Sequence, residues 1–228
     1  MNGLSSPDAS LVGIDFRVQD GQLYGVGDGG GIYTIDTTNA KATLVSSLTV
    51  ALDPLATSFG VDFNPAADRL RIIGDTGQNL AHDVNNVAGT VANGMLNYPP
   101  VPPATTPTTA RGVTGAAYTN NDLPPSGAST ATTLFDIDTM RDQVVIQSPP
   151  GNGILVVTGT LGVDADSAVG FDIYSRLVGG VTVSNSAFAS LLVNGTCGFY
   201  HIGLLTGKAI SLGTFDESVV DIAIPLNQ

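Results

Sequence analysis

Short apolar segments broken by Gly, Pro, Asn or Asp run the length of the chain, and a 3.6-residue periodicity is nowhere sustained. The run Ser58–Asp75, SFGVDFNPAADRLRIIGD, contains the repeating unit. An apolar strand over Ser58–Phe63 is followed by a Pro-containing turn at Asn64–Asp68 and a second strand over Leu70–Ile73. On the same criteria strands are expected at Leu11–Arg17, Gln22–Gly27, Ile32–Asp36 and Ala42–Leu48, then at Ser58–Phe63, Arg69–Gly74, Asn79–Val84 and Gly89–Leu96. After a Pro-dense connector, Tyr98–Thr109, they resume at Gly112–Thr119, Thr133–Asp138, Gln143–Gln147 and Ile154–Leu161, and then at Val169–Ser175, Ala187–Val193, Gly198–Ile202 and Lys208–Phe215.

The first strand of each group carries one motif. GIDF at Gly13–Phe16 returns as GVDF at Gly60–Phe63, GAAY at Gly115–Tyr118, GFDI at Gly170–Ile173 and VDIA at Val220–Ala223. Its reference positions, Asp15, Asp62, Ala117, Asp172 and Asp221, are 47, 55, 55 and 49 residues apart. Four strands per period of that length predict an all-β fold, a β-propeller of four complete four-stranded blades plus an incomplete fifth. Residues 1–228 read as one domain, with repeats at about 11–57, 58–111, 112–167 and 168–217 and a closing strand over 218–225. Met1–Ser10 has the length for one further strand at most.

LVGIDF at Leu11–Phe16, LYG at Leu23–Gly25, YTIDTT at Tyr33–Thr38, SFGVDFNPAADRLR at Ser58–Arg71, GDTGQN at Gly74–Asn79, TLFDIDT at Thr133–Thr139, GFDIY at Gly170–Tyr174 and VVDIAIP at Val219–Pro225 give the chain its kinship. It resembles the bacterial family called domain of unknown function 4394. The resemblance implies a propeller-like domain in proteins that are usually exported, and supplies no catalytic residue. It also implies a further N-terminal segment carrying the missing strands of the last blade.

Charge narrows the partners. Eight basic against twenty acidic residues, a net charge of −12, repel nucleic-acid phosphates and anionic lipid. The single cysteine, Cys197, excludes an intramolecular disulfide, and no Cys/His set has zinc spacing. No apolar run is long enough for a transmembrane span. Scarce Lys with abundant Thr, Asn, Asp and Gly suits an extracellular or periplasmic protein whose signal lies outside the given chain.

The candidates for chemistry are few. Asp15, Asp62, Asp172 and Asp221 recur at one point of the repeat, so they either bind backbone N–H groups or bring several acids to one axis. On the axis they could hold Ca2+ or act as a glycosidase pair. Arg69 and Arg71 flank Leu70 and share a face, where they neutralise acids or take an anionic ligand. His82 and His201 read as polar strand residues, and Cys197 as a turn thiol in Asn194–Gly198. Asp164–Asp172 lacks the ligand pattern of a calcium loop, and Gly25–Gly31 lacks the Lys and helix of a phosphate loop. Pro99–Pro107 reads as a spacer or a polyproline docking segment. Val219, Val220, Asp221, Ile222, Ala223 and Ile224 form an unpaired edge for a protein partner or a further chain segment. The expected role is that of a non-enzymatic exported scaffold or recognition module in a surface or envelope assembly. A carbohydrate-active hydrolase or lyase is the alternative, and a lectin-like module, which requires exposed aromatics, ranks third.

Overall fold

The computed structural model describes residues 2–85, 89–123 and 130–226. Four antiparallel four-stranded sheets follow one another along the chain. Blade one is β1 (Leu11–Phe16), β2 (Leu23–Gly27), β3 (Gly31–Asp36) and β4 (Lys41–Ser47), and blade two is β5 (Phe59–Asn64), β6 (Arg69–Gly74), β7 (Asn79–His82) and β8 (Thr90–Ala92). A two-stranded ribbon, β9 (Asn97–Tyr98) with β10 (Thr108–Thr109), occupies the connector. Blade three is β11 (Val113–Tyr118), β12 (Leu134–Asp138), β13 (Gln143–Gln147) and β14 (Leu155–Thr160). Blade four is β15 (Ala165–Val178), β16 (Val181–Val193), β17 (Thr196–Ile202) and β18 (Ala209–Thr214). Among the described residues no helix is long and apolar enough to cross a membrane.

The first strands of the blades face one another: β1 packs on β5, β5 on β11 and β11 on β15. β5 and β11 are buried on both faces, whereas the last strands β4 and β18 are mostly exposed. Three apolar clusters glue the blades. Tyr24, Val26 and Ile32 of blade one meet Val61, Phe63, Leu70 and Ile72 of blade two, with Tyr24 edge-on to Phe63 at 5.2 Å. Ile73, with Leu96 and Tyr98 of the connector, meets Val113, Ala116, Tyr118 and Leu134 of blade three. Phe135, Ile137 and Val144 meet Phe171, Ile173, Ala189 and Leu191 of blade four.

Close approach at these seams explains Gly60. A Cβ there would lie 2.7 Å from the Ala116 nitrogen and 2.8 Å from the Gly115 carbonyl carbon, both backbone atoms that cannot turn aside. Gly60→Ala is therefore expected to destabilise the protein by about 1–3 kcal/mol, read as a lower denaturant midpoint.

One expectation about the ends, the closing strand over 218–225, is corrected. Residues 218–226 form no strand ladder, because an innermost strand pairs outward with the second strand of its own blade, and no such partner lies among the described residues. The segment still occupies the expected place: a Cβ on Gly170 of β15 would sit 2.5 Å from the Asp221 Cα, and the Asp221 carboxylate reaches β1. Residues 2–10 do not supply a strand to that position. They run along blade one, where Asn2 bridges Lys41 and the Asp8 carboxylate accepts from Gly29 N–H, Gly31 N–H and the Tyr33 hydroxyl. Asp8 thereby occupies the Gly29 and Gly31 N–H groups of the glycine run Gly25–Gly31. Met1 lies outside the described residues. Cys197 is on β17, buried, with its thiol toward the Val219 carbonyl, and is not in the turn.

Candidate functional site

An innermost strand is a sheet edge, so its axis-facing N–H and C=O groups lack ladder partners. The repeated aspartates meet that need. Asp15 of β1 accepts from Phe63 N–H of β5 at 2.7 Å, and Asp62 of β5 accepts from Tyr118 N–H of β11 at 3.1 Å. Asp172 of β15 accepts from Ile224 N–H at 2.5 Å, and Asp221 accepts from Ile14 N–H of β1 at 2.7 Å. Each strap runs onward in the same sense around the ring. The third blade, with Ala117 at the equivalent position, sends no such strap from its inner strand; Asp122 and Asp142, in the loops on either side of β12, accept instead from the Thr182 and Ala165 N–H groups of blade four.

Three of these carboxylates converge. One oxygen each from Asp15, Asp62 and Asp172 lies within 4.8 Å of the other two, and the residues are 5%, 1% and 2% exposed. Asp62 Oδ2 is buried and has no hydrogen-bond partner among the described residues. Burial, then the neighbouring acids, hold Asp15 and Asp62 well above the usual carboxylate range. Burial pushes Asp172 up to about 6 against the pull of the Ile224 and Ile173 N–H groups, and raises Asp221 as well. A depression of about 230 Å³, lined by Leu11, Val12, Phe59, Val169 and Val220 among others, opens at the start of the inner strands, roughly 10 Å along β1 from Asp15.

The arginines lie apart from this cluster. Arg69 is at the surface, paired with Asp83 at 3.2 Å. Arg71 stands opposite Asp62 in register but reaches away to Asn79 and Asn93, at 2.7 and 2.6 Å, and to the Leu80 carbonyl and Tyr118 hydroxyl. Arg17 ties blade one to blade two through Asp68 at 2.6 Å. His82 is fully buried between the hydroxyls of Ser46 and Thr90.

Two features escape sequence reading. Asp136 is 0% exposed with neither oxygen hydrogen-bonded among the described residues, and its carboxyl is raised by burial against the opposing pull of Arg71. Its signal, an acid inside the apolar run LFDID, looks like the solvent side of a strand. The second is an aromatic face on blade four. Asp172, Phe188, His201 and Ile210 are in register across β15, β16, β17 and β18 and therefore share one side of the sheet. On that side Phe188 stacks on Phe199 at 5.4 Å, and Phe199 meets Phe215 at 5.9 Å. Gly170 and Asp172 orient the same side toward residues 218–226, the opposite side being packed on blade three.

Among solved structures the Kuenenia stuttgartiensis hydrazine synthase matches, at 12% identity and a TM-score of 0.45 over 94% of this chain. This chain spans about half of that one, 51%. No curated protein matches the sequence. The model of the family described as domain of unknown function (DUF4394) matches residues 1–223, and the chain belongs to that family.

Proposed function

We propose that the protein is a non-enzymatic recognition module of an extracellular or periplasmic assembly, and that it binds β-strands which complete a fifth blade between blade four and blade one. The aromatic face of blade four carries this reading. Each of the other three seams is filled by an apolar cluster spanning two sheets. At this seam Phe188, Phe199 and Phe215 are only partly buried, Ile210 is 50% exposed, and the neighbouring cover is the single segment 218–226. A sheet laid there would bury the aromatics and give that segment its ladder. The hydrolase reading has less support, since Asp15, Asp62 and Asp172 are buried and each is already bound to a backbone N–H, whereas a glycosidase acid must reach its substrate.

Native mass spectrometry of the protein isolated from its own cells is expected to show it joined to another chain, or carrying a longer chain of its own. Amides 219–221 and 223 should exchange rapidly in the isolated 228-residue chain and slowly in the native form, whereas Ile222 and Ile224, whose N–H groups are held by Asp221 and Asp172, should be protected in both. Ile210→Asp, at a half-exposed position, should abolish the association without unfolding the protein. A native 23.2 kDa monomer whose amides 219–221 and 223 are as protected as those of β1 would overturn the proposal.

A further inference from the structure

We infer that Asp15, Asp62 and Asp172 bind one hard divalent cation, Ca2+, at the centre of the ring. Each side chain comes from a different inner strand and offers one oxygen, and the three oxygens lie within 4.8 Å of one another. Three oxygens at most 4.8 Å apart leave a centre no more than about 2.8 Å from each, so a contraction of a few tenths of an ångström brings one ion within Ca–O range of all three. The donor set is oxygen alone, with no His or Cys, which selects against zinc and copper.

The orphaned Asp62 Oδ2 points to the same conclusion independently of the spacing. It is buried, while its sister oxygen is held by Tyr118 N–H. A buried acceptor without a donor is costly, and its two neighbours on the axis are carboxylates, which donate nothing when ionised. The described ion pairs commit Arg17, Arg69 and Arg141 to other acids, and Arg71 is turned outward to Asn79 and Asn93. Among the described ion pairs no Lys or Arg reaches Asp15, Asp62 or Asp172, so neutralising the three acids falls to protons or to a metal cation, and the convergence of three oxygens suits the cation. Phe63 and Ile224 N–H groups orient Asp15 and Asp172 as outer-shell donors do for metal ligands. The edge carbonyls of the inner strands are neutral oxygens of the kind Ca2+ adds to reach six or more ligands, whereas Mg2+ retains most of its water.

Calorimetric titration of the chelator-treated full chain with CaCl2 at pH 7.5 should give one site per chain, with MgCl2 weaker by roughly tenfold or more. Asp62→Asn should weaken Ca2+ by roughly tenfold or more, and Asp166→Asn, at an exposed position on the same β15, should leave it unchanged. At pH 4.5 protons should occupy the oxygens and the Ca2+ heat should disappear. No binding at pH 7.5, or binding that Asp62→Asn leaves intact, overturns the inference. If Asp62→Asn does not fold, the wild type decides: a stoichiometry other than one, or undiminished binding at pH 4.5, overturns it equally.

Discussion

Freed of divalent cations, the protein is expected to melt at lower temperature as the pH rises from about 4 to about 7, the reverse of ordinary acid denaturation. The carboxyls of Asp15, Asp62, Asp172 and Asp221 are all raised in the folded state, and so are those of Asp136 and Asp138. In that window the unfolded chain has released protons that the native state retains, so each step up in pH costs stability, and the loss levels off above the folded values. Asp172 alone, moved from 3.8 to about 6, costs roughly 3 kcal/mol once ionised, or about 6–12 °C in a domain of this size. His82 works in the opposite direction, since burial lowers it and its contribution fades as the pH falls below about 6.5. Below about pH 4 the trend turns over, because Asp68, lowered chiefly by Arg17, then loses its charge. Differential scanning calorimetry across this range checks the prediction, and a melting temperature that climbs steadily from pH 4 to 7 in the presence of chelator contradicts it. Saturating Ca2+ should flatten the decline, adding about 4 kcal/mol at a thousand times its dissociation constant.

Arg71→Met is expected to be the most damaging single substitution in the blade-two to blade-three seam, costing about 3–5 kcal/mol. Arg71 is 6% exposed and donates to the side chains of Asn79, Asn93 and Tyr118 and to the Leu80 carbonyl. Methionine fills much of the volume but donates nothing, so buried acceptors lose their partners together. It also removes the positive charge that opposes the burial of Asp136. Adding Asp136→Asn should therefore recover about 1–3 kcal/mol in the Arg71→Met background. Denaturant unfolding of the four proteins of that cycle gives the coupling directly, and strictly additive effects would show that the two residues act independently.

The strands were readable because each is bounded by turn residues and each group opens on the same motif. β6 and β13 fall on the expected bounds, whereas the hairpin of β15 and β16 extends beyond them, through largely exposed residues in which only the short alternation Val181–Ser184, next to Gly179 and Gly180, marks a strand. Asp15, Asp62, Asp172 and Asp221 stood out by repetition, yet the repeat could not say that three would converge while Asp221 spans to β1. That depends on blade angles. Residues 218–225 read as a strand because VVDIAIP has the pattern of one, but a ladder needs a partner that pattern cannot provide. Phe188, Phe199 and Phe215 sit on different strands or beyond them, and only the register of β16 and β17 makes them one surface.

Ala117 leaves a different kind of joint where blade three meets blade four. No inner-strand carboxylate crosses there among the described residues: Asp122 and Asp142 reach across only from the loops on either side of β12, to the Thr182 and Ala165 N–H groups, while Gly115 lies against Phe171 and Val169 and the broad cluster from Phe135 to Ile202 seals the contact with hydrocarbon. Near the axis, protons and metal ions meet no inner-strand acid at that boundary. Blades three and four would therefore hold together as a pair through changes of acidity or calcium that loosen the acid-strapped contacts. If the molecule opens, its mouth would form on the far side of the ring, beside the segment that ends the chain.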